Sequence, residues 1–282
     1  MKRLYPIALA VGALCFVFQS ANATLLFSDS FSYDPGVLGG LVNPGNSLAW
    51  QGGNSGLAVV SGNLTYSGLA DSGGNELQIS QGTAGTVYNT FANQTSGQVY
   101  YSFLFNAAAA DSANNYFTAL NAGNNTPNGG SDAIDAYFYA SGKMEMRANP
   151  AAATAGTGVA LTLNQTYLIV EMIDLTGHTA SLWVDPDSST FGALSAPTAT
   201  ATLSGLTASG SYGSGGGSYG NIDNIGFKAQ SAAGGPYLVD NVLIGTSWAD
   251  VTPAGIPEPS ILALAGMSIF GLITSVRSRM RR

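Results

Sequence analysis

Basic side chains are almost missing from the middle of this 282-residue chain. Between Thr24 and Ile256 only Lys143, Arg147 and Lys228 stand against 15 Asp and Glu, a balance of −12. Such a surface repels phosphate backbones, which are bound by clustered Lys and Arg, so nucleic acid is excluded as a partner. Cysteine occurs once, at Cys15, inside an apolar N-terminal stretch that is expected to be removed, and the bulky Leu14 before it argues against a lipidated cysteine. The mature chain therefore has no disulfide, thiol nucleophile or thiolate metal site. Histidine also occurs once, at His178. It falls in an expected hairpin turn, as a solvated residue, so neither a Ser-His-Asp triad nor a histidine metal cluster can form. No amphipathic helical period of useful length precedes residue 256, since Ala107–Ala110 and Ala151–Ala153 are too short to make one.

What is present is a body rich in Gly, Ser, Thr, Asn and Ala, with tyrosines and phenylalanines gathered in short alternating runs. That pattern predicts an all-β fold, and the aromatic strands argue against disorder. Val99, Tyr101, Phe103 and Phe105 alternate with Tyr100, Ser102 and Leu104, so both faces are largely apolar and the strand should be central. Tyr116–Leu120 follows, then a loop over Asn121–Ser131. Ala136–Ala140 and Lys143–Arg147 flank a Ser141-Gly142 turn. In the second of these strands Met144 and Met146 point one way, and Lys143, Glu145 and Arg147 point the other, to a solvated face. A clearer hairpin joins Tyr167–Asp174 to Thr179–Asp185, with Gly177 as the permissive turn position and Pro186 ending the return strand. A Gly/Ser loop over Ala208–Gly220 and strands over Ile222–Phe227 and Tyr237–Ile244 close the body.

The ends carry a different chemistry. Lys2 and Arg3, the apolar run Ile7–Phe18 and the Ala21-Asn22-Ala23 cleavage site make residues 1–23 a signal peptide, so the mature chain begins at Thr24. At the other end, Pro257-Glu258-Pro259 holds the chain extended. The uncharged run Ile261–Val276 covers roughly 24 Å at helical rise, short for a permanent span. Arg277, Arg279, Arg281 and Arg282 form a cytoplasmic stop cluster. The chain thus divides into a signal peptide (1–23), a β-sandwich (24–252) and a tail (253–282).

That tail resembles the PEP-CTERM sorting signal of Gram-negative bacteria. The resemblance implies export, a transient stay in the inner membrane as a transmembrane helix, processing at or near Pro257-Glu258-Pro259 by an exosortase-type enzyme, and delivery to the cell surface or extracellular matrix. An ordinary C-terminal anchor is the alternative. A second resemblance lies in the Tyr167–Pro186 hairpin and the closing Val239-Asp240-Asn241-Val242-Leu243-Ile244-Gly245. These look like the laminin-G/concanavalin A-like jelly roll, an antiparallel β-sandwich in which the last strand lies beside the first, here Leu26–Phe31.

Candidate chemistry in the body is sparse. Retaining glycosidases need two carboxylates about 5–5.5 Å apart. The nearest approach, Glu171 and Asp174, puts its two side chains on opposite faces of a strand. Oxygen-rich loops at Asp111–Asn115, Asn124–Asp132 and Asp185-Pro186-Asp187 suit a structural Ca²⁺, with Asp185 and Asp187 as its ligands, although none matches the EF-hand loop. Otherwise no cofactor is expected. Sugar binding needs exposed aromatic platforms; Tyr212, Tyr219, Trp50 and Trp248 are the candidates, while Trp183 should be core. The expected protein is exported and non-catalytic, of the cell surface or exopolysaccharide matrix. The alternatives are a lectin-like polysaccharide-binding module and a degenerate polysaccharide hydrolase.

Overall fold

In a computed structural model the described residues are 24–80, 82–110, 112, 115–122, 132–148, 158–206, 221–230 and 234–255. The signal peptide, the sorting tail, Tyr212 and Tyr219 lie outside them, as does most of the Asp111–Asn115 and Asn124–Asp132 loops. Among the described residues no helix is long and apolar enough to cross a membrane.

The chain is an all-β antiparallel sandwich. Its strands run β1 (Leu25–Asp29), β2 (Gly36–Val37), β3 (Gln51–Gly52), β4 (Leu57–Val60), β5 (Glu76–Ile79), β6 (Gly85–Gln94), β7 (Gln98–Ala107), β8 (Asn115–Asn121), β9 (Ile134–Phe138), β10 (Lys143–Ala148), β11 (Val159–Ala160), β12 (Tyr167–Asp174), β13 (Thr179–Val184), β14 (Ala201–Leu203), β15 (Ile222–Ala229) and β16 (Tyr237–Gly245). A short helix, α1 (Trp248–Val251), follows. One sheet has the order β14-β13-β12-β7-β16-β5-β4-β2, with β1 beside the second half of β16; the other runs β11-β10-β9-β8-β15-β6-β3. Leu25↔Gly245 and Asp29↔Val242 set first and last strands side by side, as the jelly-roll reading required.

The two sheets face each other across an aromatic core. Phe103 and Phe105 of β7 meet Phe117 of β8, and Tyr237 of β16 meets Phe138 of β9 with ring centroids 5.4 Å apart. β7 is central and buried on both faces, as its double alternation predicts. The other face of that sheet, with Leu104 of β7 and Leu168 and Val170 of β12, lies under a second apolar layer closed by Trp183, Phe191, Trp248 and Val251. Residues Pro253–Gly255 pack with the sandwich although the sequence division put them with the tail: Pro253 O accepts from Ala70 N and Gly255 N donates to Gly68 O, both at 2.8 Å.

Local backbone departs from expectation at one turn. In the β12–β13 hairpin the left-handed position is taken by His178 (φ 53°), not Gly177. Gly177 meets a different neighbour: a Cβ there would stand 3.0 Å from the Asp174 carboxyl, which accepts the Thr176 and Gly177 amides and would have to give by a few tenths of an ångström. In the β9–β10 turn Gly142 does supply the left-handed residue (φ 73°).

Candidate functional site

Several expected site residues are used by the fold. Trp50 is 1 % exposed, and its indole donates at 2.9 Å to Asp29 Oδ2, which also accepts from Tyr33 and Asn43. Trp248 is equally buried and donates to Thr190 O at 2.9 Å. Neither tryptophan offers a face to a sugar, because each ring is packed and its N–H already bonded; Trp183 is core, as expected. Asp187 caps a 3₁₀ turn by accepting from Ser189 N at 2.8 Å, a bond that holds its carboxyl below the usual range. Asp185 lies against the Tyr66 hydroxyl. Among the described residues no three His, Cys, Asp or Glu side chains converge as metal ligands would. Glu171 points into the core, whereas Asp174 sits at the half-exposed hairpin end, so these two form no carboxylate pair.

His178 is half-buried rather than solvated, because its turn packs back on the segment ahead of it, where Leu206 N donates to His178 O.

A different surface gathers the chemistry. Val87, Phe117, Phe138, Met144, Met146 and Phe227 turn one face of the seven-stranded sheet into the core. Period two sends their neighbours to the opposite, outer face. There the register assembles three rows. One runs Gln51, Tyr88, Gly226, Ala119, Asp135, Arg147 across β3, β6, β15, β8, β9 and β10. The next carries Lys228, Tyr116, Tyr137 and Glu145, and the third Thr90, Asn224 and Asn121. Lys143, Arg147 and Lys228, the only basic residues of the body, all lie on this one face.

Contacts within the rows are dense. Arg147 Nη2 donates to Asp135 Oδ2 at 2.9 Å, and its guanidinium lies 4.6 Å from the centre of the Tyr137 ring. Lys228 Nζ sits 4.3 Å above the Tyr116 ring and is hydrogen-bonded to that residue's hydroxyl. The two tyrosine rings are 5.5 Å apart, and Tyr139 continues the series 5.9 Å from Tyr137. Burial pushes the Asp135 carboxyl well above the usual carboxylate range; Asp132 adds to the shift and Arg147 opposes it. Burial likewise draws the Lys228 ammonium down, against Asp132 and Asp135. At the β3 edge the face continues into a depression of about 280 Å³ lined by Leu48, Ala49, Gln51, Tyr88, Asn89 and Thr90.

The unusual feature is unmet polarity. Asn121 and Asn224, directly opposite each other, are both 0 % exposed. Neither Oδ1 nor Nδ2 of Asn121 has a hydrogen-bond partner, nor has Oδ1 of Asn224 or Oδ1 of Asp135. Buried polar atoms are ordinarily bonded, and each orphan costs about 1–3 kcal/mol. All four lie on neighbouring positions of one sheet face, in a part of it closed to solvent, as are Tyr116 and Tyr137 beside them. The sequence reading missed it and took Glu145 and Arg147 for a solvated face, whereas both are half-buried, because the strands beside β10 bring Tyr137 and Asp135 against it.

No family model matches the chain, and no curated protein sequence matches it. Among solved structures, Trypanosoma rangeli sialidase is 11 % identical with TM-score 0.47, over 81 % of this chain and 31 % of the sialidase. Lectin II from Ulex europaeus is 12 % identical with TM-score 0.44, over 79 % of this chain and 98 % of the lectin. A structure of that lectin complexed with galactose is similar at TM-score 0.43. The chain spans less than a third of the sialidase's length, and likeness at these identities concerns the sandwich fold alone.

Proposed function

We propose that this is an exported, non-catalytic glycan-binding protein of the cell surface or exopolysaccharide matrix of a Gram-negative bacterium. Its binding surface is the outer face of the seven-stranded sheet. The observation carrying the reading is the open depression at the β3 edge of that face, where Tyr88, Gln51 and Thr90 stay accessible. Sugar hydroxyls both donate and accept, and aromatic rings with a polar edge suit the mixed apolar and polar surface of a pyranose. Against a panel of bacterial polysaccharides in affinity electrophoresis, the protein should be retarded by at least one. Tyr88→Ala should weaken that retardation at least about tenfold, the worth of one aromatic platform. A protein that binds no polysaccharide would end the reading, and release of reducing sugar by purified protein would overturn its non-catalytic half.

Location rests on the tail. Pro257-Glu258-Pro259, the apolar run and the arginine cluster occur in the order a processing enzyme of the exosortase type would read. Replacing the three motif residues by alanine leaves the apolar run and the positive cluster intact, so insertion should proceed. The variant is expected to accumulate full-length in the inner membrane and vanish from the surface, as fractionation with an antibody to the body would reveal. Unchanged surface delivery would leave the plain-anchor alternative standing.

A further inference from the structure

Resting on the membrane-inserted tail proposed above, we infer that the face of the body from which the tail leaves is a lipid-docking surface. Leu194 is the side chain that enters the membrane interface.

The leash between body and membrane is short. The chain is bonded to the body as far as Gly255. Gly192 N donates to Thr252 O at 2.7 Å, Ala70 N to Pro253 O and Gly255 N to Gly68 O, both at 2.8 Å, and Leu69 bridges to Ala254. Five residues, 256–260, then separate Gly255 from Ile261, the first residue of the uncharged run. Fully extended, that stretch reaches about 20 Å. The headgroup layer takes up about 5–8 Å of it, and a body of this length is roughly 45 Å across. While the run lies in hydrocarbon, the body therefore cannot stand clear of the bilayer, and the face around Gly255 confronts it.

That face suits lipid. Three segments make it: Gly68 stands against Ser188 and Phe191, Gly255 against Gly68 and Leu69, and Gly192 against Ala254. Residues 188–206 carry no charged side chain, in a body of net charge −12. The nearest carboxylates along the chain are engaged, Asp71 by Asn63 and Gly73, and Asp187 by Ser189. Ala193, Ala196 and Ala199 pack on the second apolar layer, while Leu194, between the first two, is 98 % exposed. A lone exposed leucine is ordinary on a soluble surface. This one is two residues from Gly192, where a Cβ would stand 3.5 Å from Ala254 Cβ, so it lies beside the exit of the leash. Anionic lipid repels the acidic faces of the body but not this one, and a leucine at the interface takes apolar surface out of water.

The test uses the mature chain, residues 24–282, reconstituted in vesicles of dioleoylphosphatidylcholine or of its brominated analogue, whose bromines quench tryptophan on contact. The three native tryptophans, at most 4 % exposed, supply a constant background. Leu194→Trp is expected to lose its added emission in brominated vesicles and fall to the parent's level. Ser141→Trp, exposed in the β9–β10 turn of the other sheet, should keep its emission. In the unaltered protein the amides of residues 192–200 should exchange at least about tenfold more slowly on vesicles than those of vesicle-bound Leu194→Asp. A chain that floats with the vesicles but shows neither quenching nor protection would overturn the docking and leave the inserted tail standing. Protection without quenching would put a second copy of the chain on this face in place of lipid, and equal quenching at position 141 would show the body lying on another face; either overturns the inference. A chain that fails to float would bring down the inserted tail and the inference with it.

Discussion

Replacing Glu171 by leucine is expected to stabilise the protein by several kcal/mol at neutral and alkaline pH. Glu171 stands opposite Tyr101 of β7 and Leu182 of β13, with Ile169 and Ile173 on the same face packed in the core. It is 0 % exposed, and neither carboxylate oxygen has a hydrogen-bond partner. Burial pushes its pKa from 4.5 up to about 8. The folded state thus holds the proton more tightly than the unfolded state does. Stability is greatest below the unfolded value and falls as pH rises from about 4.5 to about 8, by roughly 4–5 kcal/mol at 1.36 kcal/mol per unit. Asp240, also pushed up by burial, to about 7, acts in the same direction, so the difference between parent and variant isolates Glu171. Urea unfolding at about pH 5 and about pH 9 should show the parent losing most of that amount relative to Glu171→Gln, which does not titrate. Glu171→Leu should be the more stable of the two variants, because it also removes the orphaned polar atoms. A parent and a Gln variant with parallel pH profiles would contradict the placement of this carboxyl in the core.

Why the burial of Glu171 was not legible in the sequence, and why the tyrosine-bearing face was not either, has a common physical origin. Alternation reports which residues share a face, not what covers that face. The period of Val99–Phe105, the two methionines of β10 and the β12–β13 hairpin were legible because apolar and polar residues separate cleanly along them. Glu171 sits in a strand apolar on both sides, where period two assigns it no environment. Strands β2 to β5 were not legible, being two or four residues long, and β6 has a largely half-exposed pattern set among glycines. The site is assembled by pairing at long range, Lys228 meeting Tyr116 across 112 residues. One local signal did exist: Tyr116, Tyr137 and Tyr139 occupy the polar parity of their strands, beside Asp135 and opposite Glu145. The tryptophans beside loops, Trp50 and Trp248, close the fold.

Trp248→Ala should lower stability by about 3–5 kcal/mol, the usual cost of emptying a large buried aromatic site. Trp248 opens α1, whose start is fixed by a reciprocal cap between Ser247 and Asp250. Its ring lies 5.2 Å from Trp183 and 6.5 Å from Tyr100, over Leu104, Leu168 and Val170 on the outer side of the nine-stranded sheet. Its indole donates to Thr190 O, and Ser102 Oγ of β7 donates to Val251 O at 2.7 Å, so ring and helix together bolt this layer to the central strand. Removing the ring leaves Trp183 with Tyr100 alone of its two ring neighbours and takes from Thr190 O one of its two donors, the other being Ala193 N. For a body of this length the loss corresponds to a fall in melting temperature of roughly 10 °C. Trp248→Phe, which keeps an aromatic ring but not the N–H, should lose a smaller part. Because Trp248 and the tyrosine face lie on different sheets with the aromatic core between them, glycan retention by the folded Trp248→Ala protein should be unchanged. A thermal shift below about 2 °C would show that α1 is dispensable to the layer it covers, and loss of glycan retention in the folded variant would show that the two faces are coupled through the core.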